Sequence, residues 1–336
     1  MDNRITKTRL SNLLSYDWLK IIAIIVAIVL VWSLAFTTGA PRASVGQTFG
    51  LFTYADFGVA ESEGELLSDA KENGAFSYDV LDFGTRSLTE DYFGTIMSAA
   101  NSVQEGDIMI TSDFPEARDE HKSRMRTFVD GYYSVVYDFD SLISDAKDYA
   151  LSHGVVGSDG KFAIDEQVVE SVFSARMEKD PRFRNKKSQK YLDGVKSECE
   201  RIKAVWNNAC LLEKLLDEHP EVAVKYRVFT QTLDSLDKED RTYDEYYKLW
   251  ENETEKIYGL DLGKLVGGKD NVKDVFARNV KLENDEQLVS SDGIVLCVFN
   301  YKFSQPDLQY ETLGFVGYMI GRFSNFFEEK PTDYIA

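Results

Sequence analysis

Glu105-Gly106-Asp107-Ile108-Met109-Ile110-Thr111-Ser112-Asp113 is the stretch on which the fold turns. A glycine precedes its short apolar run and polar residues follow it, so it reads as a strand. Upstream, Phe93, Ile96, Met97, Ala100 and Val103 give the i, i+3, i+4, i+7 stripe of an amphipathic helix. Thr89 is its expected cap, Glu90 and Asp91 favour its first turn, and Gly106 closes it. Gly84-Thr85-Arg86-Ser87 reads as a loop after an alternating strand, Phe76–Phe83. Before that lie a helix over 62–72, stopped by Asn73-Gly74, and an aromatic strand, Phe49–Phe57. Strand, helix, strand, helix, strand with short connections predicts a parallel sheet.

Downstream, residues 116–260 change character and read as mainly helical. Helices are expected over Asp140–His153, Asp165–Lys179 and about 186–218, with a turn at Val155–Phe162 around Ser158-Asp159-Gly160. In the longest, Leu192, Val195, Cys199, Ile202, Trp206 and Ala209 alternate spacings of three and four, as a core-facing stripe or a coiled-coil seam would. Val222–Thr232 reads as a strand and Thr242–Tyr258 as a helix. Strand character returns at Gly293–Phe299, followed by a loop and a helix from Asp307 rich in aromatics.

At the other end, residues 21–36 are apolar apart from Ser33, and no charge lies between Ile21 and Pro41. About 20 helical residues at roughly 1.5 Å each cover a hydrocarbon core of about 30 Å. Arg4, Lys7, Arg9 and Lys20 precede the run, and only Arg42 follows it before Lys71. That bias predicts a single-pass anchor through 21–40, a cytoplasmic N-terminus and an extracellular C-terminal domain. A cleaved secretory signal is the alternative.

The chain has 336 residues, of which 28% are charged and 43% hydrophobic, which excludes collagen-like and wholly disordered classes. Its net charge is −19 and its first twenty residues carry +2, so the remainder carries −21. Such a chain is a poor binder of nucleic acid, which needs phosphate neutralisation. One stretch, 176–190, is basic, with Arg176, Lys179, Arg182, Arg184, Lys186, Lys187 and Lys190 against Glu178 and Asp180; it reads as a contact for an acidic partner or lipid headgroups, or as a solvated turn and helix start. Cys199, Cys210 and Cys297 are too few for a disulfide scaffold and read as buried thiols, with one pairing to Cys297 left open. No His-Glu-x-x-His, Cys-x-x-Cys, P-loop or Gly-x-Ser-x-Gly is present. Asp138-Phe139-Asp140 and Ser158-Asp159-Gly160 imitate only parts of a calcium loop. We therefore expect no metal, no cofactor and no catalysis.

The opening unit that ends in Glu105–Asp113 and the close over Gly293–Phe323 together resemble the extracellular solute-binding proteins of ABC importers. The resemblance implies an α/β, periplasmic-binding-protein-like parallel sheet lobe over 49–115 and 290–328. The helical middle, 116–289, is then a second lobe or an insertion. The flanking parts are a cytoplasmic segment (1–20), the transmembrane helix (21–40), a juxtamembrane linker (41–48) and a tail (329–336). The implied function is non-catalytic capture of a polar small molecule for a membrane permease or sensor. A bitopic scaffold or accessory subunit that binds a protein partner is the alternative. Open α/β sheets bind ligands beyond the carboxyl ends of their strands. In this reading those ends carry Tyr54, Thr85, Arg86, Ser87, Ser112 and Asp113, which suit a polar ligand.

Overall fold

The computed structural model describes residues 7–8, 18–39, 48–54, 58–59, 62–76, 82–114, 123–158, 161–228, 254–281, 287–301 and 310–326. The chain forms two compact units, Met1–Ser44 and Val45–Ala336. The first contains helix α1, Trp18–Gly39. Its large apolar side chains from Ile22 to Trp32 are exposed, at 49% to 66%. Among the described residues no helix is long and apolar enough to cross a membrane.

The second unit opens with β1 (Thr48–Tyr54), β2 (Gly58–Val59), α2 (Glu63–Glu72), β3 (Asp82–Leu88), α3 (Phe93–Val103) and β4 (Ile108–Ser112). β1 lies between β3 and β4 and runs parallel to both. The first crossover runs from β1 to β3 and the second returns from β3 past β1 to β4, so right-handed connections put the two helices on opposite faces. Accordingly Leu66, Leu67 and Ala70 of α2 join one hydrophobic cluster, and Phe93, Met97 and Ala100 of α3 join the other.

The middle contributes α4 (Arg124–Tyr132), β5 (Val136–Tyr137), α5 (Phe139–Ser152), the hairpin β6 (Val155–Ser158) and β7 (Lys161–Ile164), α6 (Glu166–Arg176) and the 30-residue α7 (Gln189–Glu218). Then come β8 (Ala223–Tyr226), β9 (Lys256–Asp261), the short α8 (Val272–Val275), β10 (Phe276–Lys281), β11 (Gln287–Ser290), β12 (Ile294–Phe299) and α9 (Glu311–Phe323). The main sheet has the order β3-β1-β4-β12-β9-β8, with β5 also on β12. β12 pairs antiparallel with both β4 and β9, and β8 antiparallel with β9, so the sheet is mixed and only partly parallel. β2, β10 and β11 form a second, small sheet.

All six side chains of β12 are buried. Ile294, Leu296 and Val298 pack with α2, α5, α7 and α9; Val295, Cys297 and Phe299 pack with α3 and α4. A strand covered on both faces reads as an unbroken apolar run. At the amino edge, the Asp107 carboxylate accepts the Gly50 N–H at 2.7 Å, and its carbonyl accepts the Phe299 N–H at 3.0 Å. A Cβ on Gly50 would stand 2.9 Å from the Gly106 Cα, so glycine is required for this close approach.

Several expectations are corrected. The expected parallel sheet is parallel only over β3-β1-β4. Residues 84–87 are not a loop; they lie in β3, paired residue for residue with 50–53 of β1. Their glycine, serine and threonine look like turn chemistry, but the ladder with β1 overrides local preference. Thr89 does not cap α3. It accepts the Tyr92 N–H through its carbonyl in a preceding turn, and the helix starts after Tyr92 without a side-chain cap. Val155–Phe162 is a hairpin rather than a turn alone. Residues 256–258 belong to β9, not to a helix; the remainder of that expected helix, 242–253, lies outside the described residues. Val222–Thr232 is observed as a strand over Ala223–Tyr226, and it joins the main sheet through β9 instead of opening a second one. In α7, Ile202, Trp206 and Ala209 are buried in the domain core, so the seam reading fails there.

Asp107→Ala should leave the buried Gly50 N–H without its acceptor and lower unfolding stability by about 1–3 kcal/mol. Urea unfolding of the full chain in detergent, followed by tryptophan fluorescence, measures this; a loss under ~0.5 kcal/mol, the level of an ordinary surface change, would refute the clamp.

Candidate functional site

In the strand order β3-β1-β4 the connection β1-to-β3 is followed by one in the opposite direction, β3-to-β4, so the crevice at the carboxyl ends of β1 and β4 is where a doubly wound sheet takes a ligand. Tyr54 ends β1, and Ser112 and Asp113 end β4; the structure brings these three expected residues together, and all are buried. Their surroundings are protein. The Tyr54 ring stacks on Phe93 at 4.0 Å, with the Arg124 guanidinium 4.8 Å over it. The Thr111 hydroxyl donates to the Tyr54 carbonyl at 3.1 Å across the two strands. Asp113, 1% exposed, accepts from the Ser123 hydroxyl at 2.6 Å and the Tyr226 hydroxyl at 2.5 Å. Ser123 also caps α4 by accepting the Arg126 N–H at 3.2 Å. Thr53 donates its hydroxyl to Glu63 in the first turn of α2, and burial raises the Glu63 carboxyl above its ordinary value.

Thr85, Arg86 and Ser87 are not at a strand end. They stand exposed along edge strand β3, and Arg86 forms two 2.8 Å contacts with both carboxylate oxygens of Glu105. That guanidinium is committed to a surface ion pair.

A second buried acid on the same edge escaped the sequence reading. Asp261 ends β9, and Val295 of β12 faces both it and Thr111 of β4. Its Oδ1 accepts the N–H groups of Gly263 at 3.0 Å and Gly293 at 3.3 Å. Gly293, at φ 73°, in turn accepts the Asp113 N–H at 2.7 Å through its carbonyl. One left-handed glycine thus fixes both acids, and a side chain there would be strained. Burial pushes the Asp261 carboxyl up to about 6, against the pull of Lys264 and of the two N–H groups.

A separate hollow lies between β7, α6 and α7. It has a volume of about 620 Å³ and is open to solvent. Ile164, Leu192 and Val195 supply apolar surface; Glu166, Glu170 and Lys196 supply charge of both signs. Leu192 is 52% exposed on its rim. Beneath it a buried ion network ties the helices together. Arg201 donates to Glu198 at 2.7 Å and Arg176 to Glu198 at 2.6 Å, with Arg201 also bonded to the Tyr149 hydroxyl. Burial opposes ionisation of Glu198, yet the hydrogen bonds and charges of Arg201 and Arg176 hold its carboxyl below the ordinary value.

Cys199, Cys210 and Cys297 are free and buried. Asp138 caps α5 through the Ser141 N–H at 3.0 Å and pairs with Lys256 at 3.1 Å, a structural role for the first half of the partial calcium motif. Asp159 and Gly160 of the second lie outside the described residues. Among the described residues no three His, Cys, Asp or Glu side chains gather as a metal site.

Ser123 was legible as a cap preceding Arg126 by three residues, but its partner Asp113, and Tyr226 much further along the chain, meet only in the fold. No protein-family model, no curated protein and no solved structure matches this chain.

The folded Asp261 pKa, about 6, exceeds the usual unfolded value of about 3.9, so the folded state holds this proton more tightly. Its stabilising contribution is full below about pH 4 and is lost as pH rises through about 6. Asp261→Asn keeps an acceptor for both N–H groups and should remove this slope, raising stability near pH 7.5 by up to about 2–3 kcal/mol and far less at pH 4. Thermal melts of both proteins across that range decide it; parallel curves would refute the assignment.

Proposed function

We propose that this protein is a single-pass, membrane-anchored, non-catalytic binding domain that holds a protein partner outside the cytoplasm, as an accessory or scaffold subunit. The observation that carries the reading is helix α1, whose unbroken exposed apolar side chains from Ile22 to Trp32 match the apolar run 21–36. A helix apolar on every side and covered by no core calls for lipid. The basic bias of residues 4–20 sets the orientation.

Two features of the domain favour a partner over a catalytic role. The crevice of the doubly wound unit is occupied by Tyr54, Phe93 and Arg124, and Asp113 is engaged by two hydroxyls of the chain itself. The α6–α7 hollow, by contrast, offers exposed Leu192 beside charges of both signs, the composition of an apolar patch within a polar rim.

Capture of a polar small molecule, as the resemblance to solute-binding proteins implies, is the second reading. What favours it is the volume of the same hollow, about 620 Å³, within the range of about 300–1,000 Å³ for ligand pockets. The parallel β3-β1-β4 unit is of the kind that resemblance implies, which supports this reading, while β8 and β9 extend the sheet.

Carbonate extraction should leave the full chain in the membrane pellet, and protease added to intact cells should remove the domain; a soluble or protected domain refutes the anchor and its orientation. Leu192→Glu should abolish co-purification of the partner while shifting stability by no more than about 0.5 kcal/mol, as an exposed change does. Ile202→Glu, buried, should unfold the domain and serves as the contrast. A retained partner in folded Leu192→Glu protein refutes the docking site. A saturable thermal shift with sugars, peptides or amino acids, lost in that variant, would move the assignment to solute capture.

A further inference from the structure

The turn between α6 and α7 concentrates positive charge on an otherwise acidic domain. Two of its cations are neutralised within the fold. Arg176 pairs with buried Glu198 at 2.6 Å, and Arg182 pairs with Asp180 at 2.6 Å. Five others, Lys179, Arg184, Lys186, Lys187 and Lys190, are exposed, and none forms an ion pair among the described residues. Nearby, Glu178 remains exposed, and Asp193 accepts from Gln189 at 2.8 Å. The backbone that carries these cations is ordered by its own bonds. Asp180 caps the Pro181–Phe183 turn, Asn185 accepts the Lys187 N–H at 3.1 Å, and Ser188 caps α7. Phe183 points inward onto Phe173, with ring centroids 5.3 Å apart.

We propose that this corner, 179–190, is a contact surface for anionic lipid headgroups of the bilayer that anchors the same chain. The proposal rests on the anchored reading above. From Gly39 at the end of α1 to Thr48 at the start of β1 there are eight intervening residues, 40–47. Fully extended they reach at most about 28 Å, at roughly 3.5 Å per residue. The tether therefore holds the domain at high effective concentration against the bilayer.

The domain's excess negative charge does not forbid the contact. Charge interactions are screened beyond about 8 Å at physiological salt, so a headgroup at the corner senses its local cations far more than distant carboxylates. The chemistry of the corner favours lipid over an acidic protein. Four of its five unpaired cations are lysines, flexible point charges that are depleted at protein interfaces and suit a fluid anionic surface. Its one aromatic side chain, Phe183, is turned onto Phe173, so the corner lacks the apolar centre that a stable protein interface needs.

The test uses the full chain in nanodiscs of phosphatidylcholine, with or without phosphatidylglycerol. Lysines are labelled with an amine-reactive ester and read by peptide mass spectrometry. Lys179, Lys186, Lys187 and Lys190 should label about fivefold more slowly in the anionic discs, while Lys269 and Lys273 are unchanged. High salt should erase the difference. In the variant K186E/K187E/K190E, Lys179 should lose its protection with the far-UV spectrum intact. Failure of the chain to enter discs of either kind refutes the anchor itself. Entry with equal labelling in both refutes only the lipid contact. Protection conferred by soluble polyglutamate in neutral discs, and not by phosphatidylglycerol, would assign the corner to an acidic protein and overturn the proposal.

Discussion

Burial of β12 on both faces is the constraint to which the rest of the domain answers. Six consecutive apolar side chains without a solvent face require a helical layer on each side of the sheet. The chain supplies α3 and α4 on one side, and α2, α5, α7 and α9 on the other. Each fully buried Leu, Ile or Phe adds about 1.5–3 kcal/mol to the drive for this arrangement. The strand is also fixed at both ends by its neighbours. The Asp107 carbonyl takes the Phe299 N–H, and Gly293 sits between Asp113 and Asp261. Because β12 runs against β4 and β9, the sheet extends through antiparallel strands beyond its parallel half.

That construction closes the place where a doubly wound sheet is open. Asp113 and Asp261 are drawn into backbone and hydroxyl hydrogen bonds around a single left-handed glycine, and Tyr54 is covered by Phe93 and Arg124. Buried carboxyls need such partners, because an unpaired charge in a low-dielectric site is strongly unfavourable. At Asp261 two backbone amides and the charge of Lys264 do not fully offset burial, and its carboxyl is pushed up to about 6.

What the sequence revealed follows the range of the interactions involved. The β1-α2-β3-α3-β4 order, the long α7 and the apolar β12 are legible because each rests on local periodicity. Ser62 and Glu65 form a reciprocal capping box, and Asp165 caps α6, both readable over three residues. The extent of β3 was hidden because its register is imposed by β1, and β9 because Ile257-Tyr258-Gly259-Leu260 sits beside a segment with helix-like composition. Tyr54, Ser112 and Asp113 lie at strand ends as expected because strand ends are marked locally. Tyr226 was not, since it reaches Asp113 across 113 residues of sequence. Arg86 looked like a ligand group only while its partner Glu105, 19 residues away, was unplaced.

The distribution of charge joins these observations. The residues after the first twenty carry −21, which repels other acidic surfaces, so an attractive contact must be local and must exceed screening over a few ångströms. Only where the fold gathers cations faster than carboxylates can neutralise them does that happen. In the α6–α7 connection Glu198 and Asp180 neutralise two cations and leave five. The same two helices shape the hollow beside Leu192, and the contact of Arg176 on α6 with Glu198 on α7, itself held by Arg201 one turn further along α7, joins the helices that carry both surfaces. A buried pair of this kind contributes little net stability, but loss of one partner is strongly unfavourable. Its consequence is geometric: the basic corner and the apolar rim are held on one rigid helical pair, and neither can shift without breaking a buried charge contact.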